Sequence, residues 1–112
     1  MEVAALAGIL RSVARYRLRP GHHAGLVRLY RPFVPPGGLA FDIGAHVGDR
    51  VRAFRALGAA VVAVEPGTAA MRVLRLLHGR DARVVLVAAA AGAAEGEADF
   101  RVNSRNPTVS TL

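Results

Sequence analysis

The sequence predicts an α/β fold, the first β-α-β-α-β half of a doubly wound parallel sheet behind an N-terminal helical lead-in. Three observations predict it. Short apolar runs occur at Leu39–Ile43, Ala60–Val64 and Val84–Ala88, and stretches with helical spacing fill both intervals between them. A cluster of prolines and glycines separates this alternating part from what precedes it. Strands joined through helices pair in parallel, and their crossovers are right-handed.

The elements follow in order. Residues 2–19 carry Leu6, Ile9, Leu10 and Val13 at the intervals of one helix face, with Arg15, Arg17 and Arg19 towards the C-terminal end, where they suit the helix dipole. Pro20-Gly21 ends that helix. It is expected to cap one side of the sheet; a surface-binding amphipathic helix is the alternative. Ala24–Tyr30 can form a further short helix. Pro32, Pro35, Pro36, Gly37 and Gly38 mark the clearest boundary in the chain, dividing a helical segment and linker (1–38) from an α/β segment (39–112).

Beyond the boundary, Leu39–Ile43 is a short apolar strand with one acid near its end. Val51, Phe54 and Leu57 form a helix stripe over 49–57, closed by Gly58. Ala60–Val64 is an uninterrupted apolar run, as in a strand buried on both faces. Thr68 is placed to cap the next helix, whose Met71, Leu74, Leu77 and His78 share one side, with Gly79 at its end. Val84–Ala88 is a third strand and 89–98 a small-residue turn. Phe100–Val102 is a candidate fourth strand and 103–111 a loop.

Composition excludes several classes. At 112 residues and 53% hydrophobic, the chain is one small domain at most. No apolar run reaches the roughly 20 residues that span a bilayer. Glu2 and the arginines from Arg11 onward argue against a secretory signal. The absence of cysteine removes disulfides and thiolate metal sites, and fits a reducing cytoplasm. A net charge of +7 suggests nucleic acid, but all 15 basic residues are arginine and only Arg11, Arg15, Arg17 and Arg19 cluster. That dispersed pattern does not make a basic patch, so nucleic acid is not the expected partner.

Chemistry concentrates at the predicted carboxyl ends of the strands, where open parallel sheets bind ligands. Asp42 closes the first strand and Glu65, 23 residues later, closes the second. Gly44 and Gly48 frame the strand-to-helix turn between them, allowing a tight bend and close approach of a ligand. An acid after the second strand can accept hydrogen bonds from ribose hydroxyls. A dinucleotide fingerprint needs G-x-G-x-x-G, whereas here Asp42 stands where the first glycine would be. An acid there opposes a pyrophosphate and suits a cationic amine. A P-loop needs lysine, which the chain lacks. S-adenosyl-L-methionine fits this set of groups best.

The segment Phe41-Asp42-Ile43-Gly44-Ala45-His46-Val47-Gly48-Asp49, with Val62-Ala63-Val64-Glu65-Pro66 and Val87-Ala88-Ala89-Ala90-Ala91-Gly92, resembles the FkbM family of methyltransferases. The likeness runs from Leu39 onward. It implies a partial, Rossmann-like class I methyltransferase fold, S-adenosyl-L-methionine as cofactor, and O-methylation of a hydroxyl on a small molecule such as a sugar or secondary metabolite. By that likeness Asp42, Gly44, Ala45, His46 and Gly48 hold the methionine end, Glu65 holds the ribose, and Ala89 and Ala90 line the adenine pocket. His46 contributes its backbone. No residue suggests itself as catalytic base.

The remaining polar residues have plain readings. His22, His23 and His78 show no metal-ligand spacing, so no metal site is expected, and the histidines are solvated or packed. Asp49 is a first-turn helix acid. Asp81 sits in a loop, and Glu95, Glu97 and Asp99 form a solvated edge. The family's acceptor-site half, with its Asp-x-Glu-Gly segment, is not found before Leu112. The expectation is a chain ending short of the acceptor site, or one that associates to cover an apolar sheet edge. A non-catalytic remnant or a nucleotide-binding module is the alternative function.

Overall fold

In the computed structural model, which describes residues 3–99, the elements run α1 (Val3–Leu18), α2 (His22–Tyr30), β1 (Leu39–Ile43), α3 (Asp49–Ala56), β2 (Ala60–Val64), α4 (Thr68–His78) and β3 (Val84–Val87). The strands form a three-stranded parallel sheet in the order β1-β2-β3. Its register aligns Phe41, Val62 and Val85 in one row across the sheet, and Ile43, Val64 and Val87 in another. The expected partial Rossmann-like arrangement is therefore present. The candidate strand at Phe100–Val102 and the loop at 103–111 lie outside the described residues.

Strand order decides where the core sits. Both crossovers advance in the same direction, and crossovers of one hand that advance together lie on one side of the sheet. Val51 and Phe54 of α3 and Met71 and Leu74 of α4 accordingly pack with Val61 and Ala63, and Ala40, Val84 and Leu86 join them. The opposite face carries no helix layer among the described residues. Leu39, Phe41, Ile43 and Val85 are more than half exposed there. This corrects the reading of β2 as buried on both faces: Val61 and Ala63 are buried, while Val62 and Val64 are only partly so.

The lead-in also differs from its expected role. α1 packs chiefly on α4 and α2, not flat on the sheet. Its buried residues are Ala5, Gly8, Ile9 and Ser12, while Leu6 and Leu10 are exposed. The reason is the partner surface. Ile9 of α1, with Val13 and Tyr16, packs with Ala69, Ala70 and Val73 of α4 and with Val47, and the small residues Ala5, Gly8 and Ser12 are buried as well. α2 lies against α3, where the Tyr30 and Phe54 rings meet edge to face at 4.9 Å.

Two local expectations on α4 are corrected. Gly67, in extended conformation, precedes the helix as its N-cap; Thr68 is the first helical residue, is exposed, and makes no capping bond. Leu77 is 40% exposed, and Ala70 and Val73 take the buried positions instead. No helix of the described residues is long and apolar enough to cross a membrane.

Candidate functional site

Parallel register brings the three carboxyl strand ends to one edge. The loop after Ile43, Glu65 after Val64, and Ala88–Ala90 after Val87 stand there side by side. The backbone joins them: the N–H groups of Gly44 and Ala45 both donate to the Val64 carbonyl, at 2.8 and 3.0 Å, and the Glu65 N–H donates to the Val87 carbonyl. Ala89 and Ala90 are exposed beyond β3.

The loop from Gly44 to Gly48 turns through three left-handed residues. Gly44, His46 and Gly48 have φ of 77°, 53° and 85°. His46 is not glycine, so its conformation carries a cost that neighbouring contacts must offset. Glu65 provides one of them. Its Oε1 accepts the His46 N–H at 2.8 Å, and its Oε2 accepts the Gly67 N–H at 2.7 Å. A buried carboxylate with both oxygens bonded holds the β1 loop and the start of α4 to the end of β2. A ribose there would have to share oxygens that already accept two backbone donors.

Asp42 lies on the helix-covered side of β1 and is 3% exposed. Its Oδ1 accepts Nε–H of Arg50 at 3.0 Å, and the same guanidinium donates to the Gly44 carbonyl at 3.3 Å. Its Oδ2 is buried and has no partner. Burial pushes the Asp42 carboxyl above its ordinary pKa, Arg50 opposes that, and the Asp49 charge adds to it. A buried oxygen that lacks a donor is costly and points to a missing partner. Arg50 is not among the site residues expected from the sequence. Its signal is its place in the first turn of α3, which returns it over the end of β1, and that phase is visible only once the loop's length in space is known.

The His46 and Tyr16 rings stand nearly perpendicular, with centroids 6.5 Å apart, and neither His46 ring nitrogen has a partner. Burial lowers its pKa, against the pull of Glu65 and Asp49. His22 departs from the expectation of a merely solvated or packed side chain. It pairs with Asp49 at 3.1 Å and stacks on Tyr16 at 5.2 Å, so α2 and α1 are tied to the start of α3. Asp81, read as an idle loop acid, braces α3 by accepting Arg55 Nε–H at 2.6 Å. Among the described residues no three histidine or acidic side chains converge as a metal site.

No family model and no curated protein matches this sequence. A solved structure from Pyrococcus horikoshii, described as a "putative RNA methyltransferase", is similar to it, with 28% sequence identity and a TM-score of 0.52. The match covers 63% of this chain and 38% of that one, so the chain spans little more than a third of that protein's length. The likeness supports a methyltransferase-like fold, in agreement with the sheet order and the strand-end loop.

Proposed function

We propose that this chain is the cofactor-binding part of an S-adenosyl-L-methionine-dependent methyltransferase of FkbM type, acting on a hydroxyl of a small molecule such as a sugar or secondary metabolite. The observation that carries the reading is Asp42, a buried carboxylate at a strand end whose Oδ2 lacks a donor. The ammonium of a methionine moiety is a donor of the right charge. Arg50, already on Oδ1, would face the carboxylate of the same amino-acid group, so the pair complements a zwitterion. The left-handed turns at Gly44 and Gly48 shape the loop. Ala45 is buried in the core with its N–H on the Val64 carbonyl, so it would support the methionine end from within. His46 would offer its backbone, Glu65 would take the ribose, and Ala89 and Ala90 would leave room for a flat adenine.

The bound cofactor supplies a methyl group already activated by its sulfonium, so the protein's task is alignment of an acceptor oxygen. The Pyrococcus protein's description names RNA, which makes a nucleic-acid hydroxyl or base a second acceptor class to assay.

Calorimetry of the folded chain with S-adenosyl-L-methionine, methylthioadenosine and NAD tests the reading. Binding of the first above NAD is expected. A folded chain that prefers NAD, or binds neither, overturns it. Methyl transfer to any supplied acceptor then separates an enzyme from a binding module.

A further inference from the structure

A cleft opens between α1, α2 and α3 and reaches Val47 of the strand-end loop; its polar lining is Tyr16, Arg17, His22, His23, Asp49 and Arg52. We propose that this cleft is an oxyanion site that takes a phosphoryl or sulfate group between Arg17 and Arg52.

The charge balance argues for it. The described carboxylates near the helices are already engaged: Asp49 with His22 at 3.1 Å, Asp42 with Arg50 at 3.0 Å, and Asp81 with Arg55 at 2.6 Å. Among the described residues no carboxylate pairs with Arg17 or Arg52. Glu95, Glu97 and Asp99 are exposed in the segment after β3. Two guanidinium groups thus share one cleft with a single acid, and that acid is shared with an imidazole.

The surrounding groups register the same excess. Burial lowers the pKa of Arg17, and the Arg52 charge lowers it further. His23 is lowered by burial and by Arg52, Arg17 and His22. His78, on α4, is lowered by burial and then by Arg17, with Arg52 adding a smaller share against the pull of Gly48 and Asp81. Arg17 of α1 and Arg52 of α3 thus oppose each other at this cleft, and a bound anion relieves that opposition. His23 Nδ1 is buried without a partner, so a donor position is open once that ring is protonated. Planar guanidinium forks suit a tetrahedral oxyanion better than point charges do.

The location gives the anion a consequence. Arg17 belongs to α1, and Arg52 to α3, the helix that follows the Gly44–Gly48 loop. An anion bridging them would fasten α1 across the start of α3. This proposal does not depend on the cofactor reading.

The test uses the full chain and sulfate, whose charge does not change near neutral pH. Amide resonances of residues 13–23 and 47–52 are expected to shift saturably. Affinity should fall about tenfold or more in each of Arg17→Gln and Arg52→Gln. Arg52→Lys should recover part of the loss, and the exposed control Arg28→Gln should bind as the parent does. The amide spectrum reports in the same experiment whether each variant is folded; Arg17 is exposed and its replacement leaves the core untouched. Pyrophosphate and a short single-stranded oligonucleotide identify the source of the group. A polymer that binds more tightly than sulfate and loses that affinity in the same variants assigns a phosphodiester, whereas no gain over sulfate assigns a free oxyanion. Sulfate that shifts resonances elsewhere, or binds the glutamine variants as it binds the parent, overturns the proposal.

Discussion

At the scale of single residues, Asp42 separates a structural ion pair from a ligand site. A buried pair kept for stability loses about 3 kcal/mol or more when one partner is removed, because the other charge is stranded. Arg50 escapes that penalty, since its side chain is 38% exposed and rehydrates, while the ionised Asp42 is 3% exposed and lacks a partner on Oδ2. Asp42→Asn is therefore expected to unfold in urea at no lower concentration than the parent at pH 7, and to lose S-adenosyl-L-methionine binding. A stability loss near 3 kcal/mol would make the pair structural. The pH dependence has a defined sign. An acid whose folded pKa is raised binds its proton more readily when folded, so its destabilising share shrinks as pH falls towards 3.8. The advantage of the asparagine variant should shrink with it. Asp42 and Glu65 were legible as candidates because their spacing matches one β-α-β unit. Arg50 was not, because one arginine among 15 carries no signal until the first turn of α3 is placed over β1.

At the scale of elements, the strand-end loop contains two glycines with similar backbone angles and different surroundings. A Cβ on Gly44 would meet nothing within 4 Å, whereas on Gly48 it would lie 2.8 Å from Leu74 Cδ2 and 3.0 Å from His78 Nε2. Left-handed conformation costs either alanine about 1 to 2 kcal/mol. Gly48→Ala adds the clash with α4, about 1 to 3 kcal/mol more. Chemical denaturation should show Gly48→Ala to be clearly the less stable variant. Gly44→Ala should instead show its larger defect in cofactor affinity, because its added methyl projects into open space at the strand end. Equal stability losses would contradict this division. Glu65 belongs to the same argument. Glu65→Gln leaves an amide donor facing a backbone N–H that now has no acceptor, so hydrogen exchange at His46 or Gly67 should accelerate. The spans of β1 and β2 were readable from their apolar runs, and the end of α4 from Gly79. The buried face of α1 was not, because three of its four buried residues, Ala5, Gly8 and Ser12, are small, and no periodicity of large side chains reports their burial.

At the scale of the whole molecule, two properties arise from packing that no local pattern contains. Burial lowers the pKa of His46 and His78, and His23 is lowered by burial together with its cationic neighbours. A base whose folded pKa lies below 6.5 takes up its proton more readily when unfolded, so stability should fall as pH drops through 6.5 and below. Urea midpoints across that range should decline, and less steeply in His78→Gln. The second property is sidedness. Local apolar runs could not show which face of the sheet is covered, because that depends on strand order and on both crossovers lying on one side. The result is a face centred on Phe41, Val62 and Val85, neighbours in register, with no charged residue among the strand positions that form it. Such a face favours association, whereas a net charge of +7 opposes it. Salt screens the repulsion and leaves the apolar attraction, so sedimentation should show association that grows with protein concentration and with salt. Phe41→Thr combined with Val85→Thr should weaken that association and reduce binding of a hydrophobic dye. Both side chains are more than half exposed, so the change in stability should be about 0.5 kcal/mol or less for each. A much larger loss, or unchanged dye binding, would mean that these residues are already packed and that the open face lies elsewhere.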